Sequence, residues 1–298
     1  MEYFYVTSNN VDFLLNGNYN IMQSFINPSE TEDVIRRKET SNSKSKIFID
    51  SGAFSLMRTN RTVDYERYIN FINSTDTPFV FAPLDTIPYK TTDFEGCAEK
   101  TYKNFCEMIE AVNKPEKLVY VYHQSEPLSW LKKAIETKVG GKYLSYICLS
   151  NRIDVNWATS FDFFDKCLSV IYESKNPNIR THAMGIGSPK LLEAFPFYSA
   201  DSSSHFKHAA YGRLWVKDAY GVLTVAHGTE RTKYKNSHIQ KQHKDLYERF
   251  EEAAKEFGST ADEIFTSDVK RMEYNTWYFE HHFIKELKPV IKKKKLLF

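Results

Sequence analysis

Cysteine is scarce and has no metal spacing. Four occur, Cys97, Cys106, Cys148 and Cys167, and none forms a C-x-x-C pair. That excludes a zinc ribbon or a dithiol redox motif, and it predicts buried, reduced thiols in a cytosolic compartment. Long apolar runs are missing too. None approaches the ~20 residues that span a bilayer, so no membrane partner is expected. The opening residues, Met1-Glu2-Tyr3-Phe4-Tyr5, lack the basic region and apolar core of a secretory signal. Neither sign of charge dominates, since 40 Lys and Arg against 38 Asp and Glu leave a formal +2. Such a balance does not mark a protein that coats nucleic acid nonspecifically, although it permits a local basic face. No internal repeat is visible. What is plentiful is aromatic: 19 Tyr and 22 Phe within a chain of 298 residues, 42% of them apolar. That content suits one large domain or a barrel with an appended segment.

Tyr3 to Thr7 reads as a short strand, the polar stretch Asn9 to Asn20 as loop, and Ser41 to Lys46 as a linker. A regular rhythm then begins. Strands are predicted at Ile47–Ile49, Phe79–Ala82, Leu118–Tyr122, Tyr143–Leu149, Thr181–Ile186 and Phe197–Ala200. Helices are predicted at Tyr65–Ile72, Phe94–Val112, Pro127–Val139, Trp157–Glu173 and Pro189–Phe195. Near-continuous apolar strands separated by helix-length segments argue for a parallel sheet covered on both faces. The expected fold is α/β, a (β/α)8 TIM-like barrel with a helical, charged C-terminal extension. A doubly wound open sheet is the alternative. Leu214–Val216 and Val222–Ala226 are candidates for the remaining strands. The catalytic barrel is expected over residues 1–243. A helical segment packed on it is expected over residues 244–298, with the Lys292–Lys295 run as a solvated tail or a phosphate contact.

In such a barrel every strand delivers its C-terminal end to one rim. Asp50, Asp85, His123, Gln124, Ser150, Asn151, Met184, Gly185 and Asp201 would gather there. Carboxylates without an evident neutralising partner suggest acid–base or nucleophilic work. Asp50 and Asp85 also read as helix N-caps, and Asp201 as a turn former. Gly185-x-Gly187 does not continue as G-x-G-x-x-G, so a dinucleotide site is poorly supported. His182 reads as a core or supporting histidine. His205 and His208 have i,i+3 spacing, but no third ligand follows, and no metal or cofactor is expected.

Two motifs bear a likeness. Asp50-Ser51-Gly52-Ala53-Phe54-Ser55 resembles D-S-G-G-F-Q. Ala183-Met184-Gly185-Ile186-Gly187-Ser188-Pro189, followed by Asp201, resembles L-M-G-V-G-x-P and the nucleophilic aspartate after it. Both are signatures of the tRNA-guanine transglycosylase superfamily, and the likeness spans about half of the chain, from Ile47 to Gly212. Ser199-Ala200-Asp201-Ser202-Ser203-Ser204 is similar to the S-x-D-S-t-S context of the shortened phage and bacterial members, the DpdA-like DNA guanine transglycosylases.

The resemblance implies roles. Asp201 would attack the anomeric carbon and expel guanine. Asp50 would help guanine leave, then take a proton from an incoming 7-deazaguanine such as 7-cyano-7-deazaguanine (preQ0). Phe54 would stack on the purine and Asp85 would read its N1 and exocyclic amine edge. Ser51, His123 and Gln124 would join the base-binding set. Ser150 and Asn151 replace the family's Gly-Gly pair. Met184 and Gly185 would floor the pocket. The family's zinc site, C-x-C-x-x-C with a later His, has no counterpart, since no cysteine follows Cys167. DNA is therefore the expected partner, with a free guanine deoxynucleotide as the alternative acceptor. A nucleoside or glycoside hydrolase built on the same carboxylates, and a non-catalytic binding module, are the rival functions.

Overall fold

The computed structural model describes residues 1–8, 10–57, 63–152, 155–228, 238–242 and 244–288. Eight parallel strands form one curled sheet: β1 Glu2–Val6, β2 Asn20–Ser24, β3 Ile47–Asp50, β4 Val80–Phe81, β5 Tyr120–His123, β6 Tyr146–Ser150, β7 Arg180–Met184 and β8 Ser199–Ser202. Their order is β4-β3-β2-β1-β8-β7-β6-β5. The ladder is not closed. Its end strands touch through a single parallel bridge, Phe81 to Leu118, where Val119 N–H donates to the Phe81 carbonyl at 3.0 Å. This curled α/β sheet is compatible with a TIM-like barrel.

Alternation explains the continuous apolar strands. Successive residues point to opposite faces, and both faces are covered. One set turns inward: Phe4, Met22, Phe48, Val80, Val121 and Cys148 form a compact cluster enclosed by the curl. The other set, including Tyr5, Ile21, Ile49, Tyr122, Leu149 and Ala200, joins the larger core beneath the helices. Three of those helices start on caps that satisfy their first free N–H groups. The caps are Asp64 before Tyr65–Ser74, Asp93 before Phe94–Ala111, and Asn156 before Trp157–Glu173.

Two expectations are corrected. Asn9 to Asn20 is not all loop, because Val11–Asn16 is helical and Asn20 opens β2. With only Ile21 and Met22 apolar, β2 carries little hydrophobic signal, and helix Pro28–Glu39 after it is masked by its charge. The late segments do not complete the main sheet. Arg213–Lys217 (β9) and Leu223–His227 (β10) pair with each other as an antiparallel hairpin. The missing strands are β1 and β2.

The C-terminal helices cover this hairpin and the outside of β1. Asn275 in helix Asp268–Phe279 accepts from Trp215 N–H at 3.0 Å, and the Tyr278 hydroxyl accepts from Lys217 N–H at 2.7 Å. Tyr5 donates to Glu280 at 3.0 Å. The Lys292–Lys295 run lies outside the described residues. No helix among them is long and apolar enough to cross a membrane. All four cysteines are free, three of them buried.

Candidate functional site

The C-terminal ends of β3, β8 and the segment after β4 bring three carboxylates into one electrostatic neighbourhood. The buried Cys148 thiol on β6 is pushed up first by burial, then by the charges of Asp201, Asp50 and Asp85. Asp50 itself is raised to about 7 by loss of solvation, by Asp85 and, more weakly, by Asp201. An acid with that value exchanges protons near neutrality.

Asp50 ends β3 and meets a tight turn. Gly52 N–H donates to Asp50 Oδ2 at 3.1 Å, with Gly52 at φ 86°. A Cβ at Gly52 would lie 3.0 Å from Ile26 Cβ and Ser24 Oγ, so both backbone angle and space require glycine. Asp201 ends β8 in a different setting. Its Oδ1 accepts from His182 Nε2 at 3.0 Å and from Gly185 N–H at 2.8 Å. Among the described residues nothing donates to Oδ2. Gly185 has φ 72°, a backbone angle that L side chains rarely adopt, and this angle aims its N–H at the carboxylate.

His182 is fully buried between the rings of Phe48 and Phe4, at 4.9 and 5.9 Å. Its Nδ1 lies 2.6 Å from Ser199 Oγ, which in turn contacts the Tyr146 hydroxyl. The reading of His182 as a supporting histidine fits this arrangement. Tyr146 was not singled out by sequence, because it reads as an ordinary strand residue, and Ser199 entered only as the first serine of the S-x-D-S-t-S context, with no role assigned.

Asp85 is turned inward. Oδ1 accepts from Ser51 Oγ at 2.9 Å and Oδ2 pairs with His123 Nε2 at 2.7 Å, with both side chains under 5% exposed. Burial alone would depress His123. The bond to Asp85 and the charges of Asp85, Glu126 and Asp50 outweigh it, and the imidazole is raised. Glu126 was missed by sequence. Ser125 at φ 83° turns the chain back, so that Glu126 Oε2 accepts from His123 N–H at 3.0 Å. Burial pushes this carboxyl up to about 7. An acidic residue three positions beyond a strand end was the only signal available.

Phe54, Tyr89, His123, Gln124, Ser150 and Asn151 line a cleft beside these groups. Phe54 and Tyr89 are 40% and 39% exposed. Gln124 Oε1 accepts from Arg152 N–H at 3.0 Å, and Asn151 Nδ2 donates to Ser160 at 3.0 Å. The space is only about 60 Å³, well below the few hundred Å³ usual for a ligand site, so a bound purine requires the aromatic walls to part. Met184 packs against the inner cluster instead of lining the cleft. A larger cavity of about 590 Å³ lies by Asn10, Gln23 and Arg37, away from every residue anticipated for chemistry.

His205 is buried with its ring 5.3 Å from Tyr5, and burial pushes it down to about 3. His208 packs against Trp215 at 4.9 Å. Among the described residues no group of three or more His, Cys, Asp or Glu is placed to hold a metal ion. No protein-family model matches the chain, and no curated protein does.

Proposed function

We propose that the protein is a transglycosylase that exchanges guanine for a 7-deazaguanine base in DNA through a covalent glycosyl-aspartate. The observation that carries this reading is the contrast between two neighbouring carboxylates. Asp201 is held by one oxygen and presents the other. Asp50 sits at about 7 and can carry a proton. Two displacements with retention need such a pair, a nucleophile and a separate proton shuttle.

The steps balance. Asp201 Oδ2 bonds to the anomeric carbon and the bond to guanine N9 breaks. The electron pair leaves with the base, which takes the proton of Asp50. The N9 of the 7-deazaguanine then attacks the same carbon, releases Asp201, and returns its N–H proton to Asp50. Phe54 and Tyr89 offer faces for a flat heterocycle. Asp85 orders His123 and Ser51 beside the cleft, and its remaining lone pairs can take the N–H groups of a purine edge. A guanine in a duplex must be flipped out or presented single-stranded to reach these groups. In this reading the curled sheet acts as a (β/α)8 barrel, with its rim as the active face.

The test incubates the protein with labelled guanine or 7-cyano-7-deazaguanine and either DNA or dGMP. Label entering DNA, and none with Asp201→Ala, supports the proposal. Label entering only dGMP moves the reaction to the mononucleotide. Release of base without incorporation identifies a hydrolase and ends the exchange reading.

A further inference from the structure

A curled parallel sheet normally fills its interior with branched apolar side chains. Here a polar line crosses that interior. Asp201, His182, Ser199 and Tyr146 are each at most 5% exposed, and they are linked in that order by hydrogen bonds, with the Tyr146 hydroxyl also 3.4 Å from His182 Nδ1. Water cannot satisfy these groups, so each proton must be supplied from within the line.

The direction of the line follows from one end. An ionised carboxylate only accepts, so His182 Nε2 carries the hydrogen. In a neutral imidazole the other nitrogen then accepts, and Ser199 donates to it. The lone pairs left on the Ser199 oxygen accept from Tyr146. Three donors thus point one way, towards Asp201, and each polarises the next. The inner end stops in the fold. Tyr146 packs edge-on against Tyr198 at 5.5 Å, and Tyr198 donates to Glu2 instead of to Tyr146. Among the described residues the line therefore reaches no solvent-exposed proton acceptor.

We infer that Tyr146, Ser199 and His182 form a positioning relay that locks His182 as its Nε2–H tautomer and so orients the Asp201 carboxyl, with Oδ2 aimed at the substrate. The inference rests on the transglycosylase reading for Asp201's task, but not for the tautomer. His182 is not a base in this scheme, since its one acceptor nitrogen is already filled by Ser199. Gly185 N–H supplies the second restraint, so that the carboxylate is fixed from two directions. A nucleophile displaced by 1 Å loses about a hundredfold in rate, which sets the scale of the relay's contribution.

Two measurements on the full chain test it. The first is nitrogen NMR of the imidazoles, with His182→Gln to assign the signal. The expected result is an Nε2–H pattern in the native protein. Ser199→Ala combined with Tyr146→Phe, which removes both hydroxyls facing Nδ1, should release that pattern. An Nδ1–H pattern in the native protein overturns the relay. The second is the base-exchange rate. Ser199→Ala is expected to lower kcat about tenfold to a hundredfold with KM unchanged. Ser199→Thr, which keeps the hydroxyl, restores most of the loss, whereas a merely structural role would favour the smaller Ala. Tyr146→Phe should cost a few-fold. Unchanged kcat in Ser199→Ala overturns the inference. If the native protein exchanges no base, the functional reading falls, and the NMR result alone decides the relay.

Discussion

Asp50 and Asp201 occupy equivalent places, each at the C-terminal end of a parallel strand, yet their surroundings differ. Asp201 is clamped by an imidazole and a backbone N–H and leaves one oxygen open. Asp50 meets only backbone donors, Gly52 and more weakly Ser51, and has two carboxylates for neighbours. One environment orients an anion, and the other weakens it until it takes a proton. The lesson is that identical residue types on one rim acquire contrasting electrostatic settings from what surrounds them.

The sharpest way to break this comparison is to neutralise each side. In the proposed exchange Asp201→Asn should lower the rate by at least about 10⁴-fold, because that reading gives the covalent bond to no other group. Mass spectrometry of a trapped glycosyl-enzyme should detect adduct in the native protein and none in the variant. An adduct on Asp50 would reverse the two roles. Asp50→Asn should cost about 10²- to 10⁴-fold, the range of general acid–base catalysis. Because Asp50 must enter the first displacement protonated, native kcat/KM should be level below about 7 and fall above it. Residual activity in Asp50→Asn should lack that fall.

A smaller effect concerns the cleft wall. Phe54→Ala removes a stacking face worth about 1–3 kcal/mol, so KM for the base should rise roughly tenfold with kcat little changed. A changed kcat with constant KM would place Phe54 outside the base site. A last effect is on stability. Asp50 is raised in the folded state, from 3.8 to about 7. The native state therefore binds the extra proton between those values, and stability falls as pH rises across them. Asp50→Asn removes that slope, and urea unfolding at about pH 8 should show a gain whose upper bound is about 4 kcal/mol. Glu126, also near 7, leaves part of the slope in place.

The fold was legible wherever strands were buried on both faces. Ile47–Ile49, Leu118–Tyr122 and Thr181–Ile186 announce themselves as apolar runs, and β3, β5 and β7 lie there within a few residues. It was illegible where polar residues carry a strand. β2 has two apolar side chains, and its Gln23 finds partners in Thr7 and Thr31 that only the fold supplies. The hairpin β9–β10 had the composition of main-sheet strands, because pairing partners are not encoded locally. Of the anticipated site, Asp50, Ser51, Asp85, Asp201 and Gly185 are tied into hydrogen bonds at the rim. Phe54, His123, Gln124, Ser150 and Asn151 share the cleft. Glu126 and Tyr146 escaped notice, and Ser199 went without a role, because their significance depends on burial and on which neighbour meets them.

The single Phe81–Leu118 bridge has a mechanical consequence. Every other neighbouring pair of strands in the wall is laced by a ladder, and β4 contributes only two residues to it. Asp85, Ile87 and Tyr89 follow β4, and His123 ends β5, so the weakest stitch sits beside the narrow cleft. Separating these strands would cost that one backbone hydrogen bond and strain the His123–Asp85 pair across the same seam, and it would open the cleft on the arc of the wall opposite the clamp around Asp201.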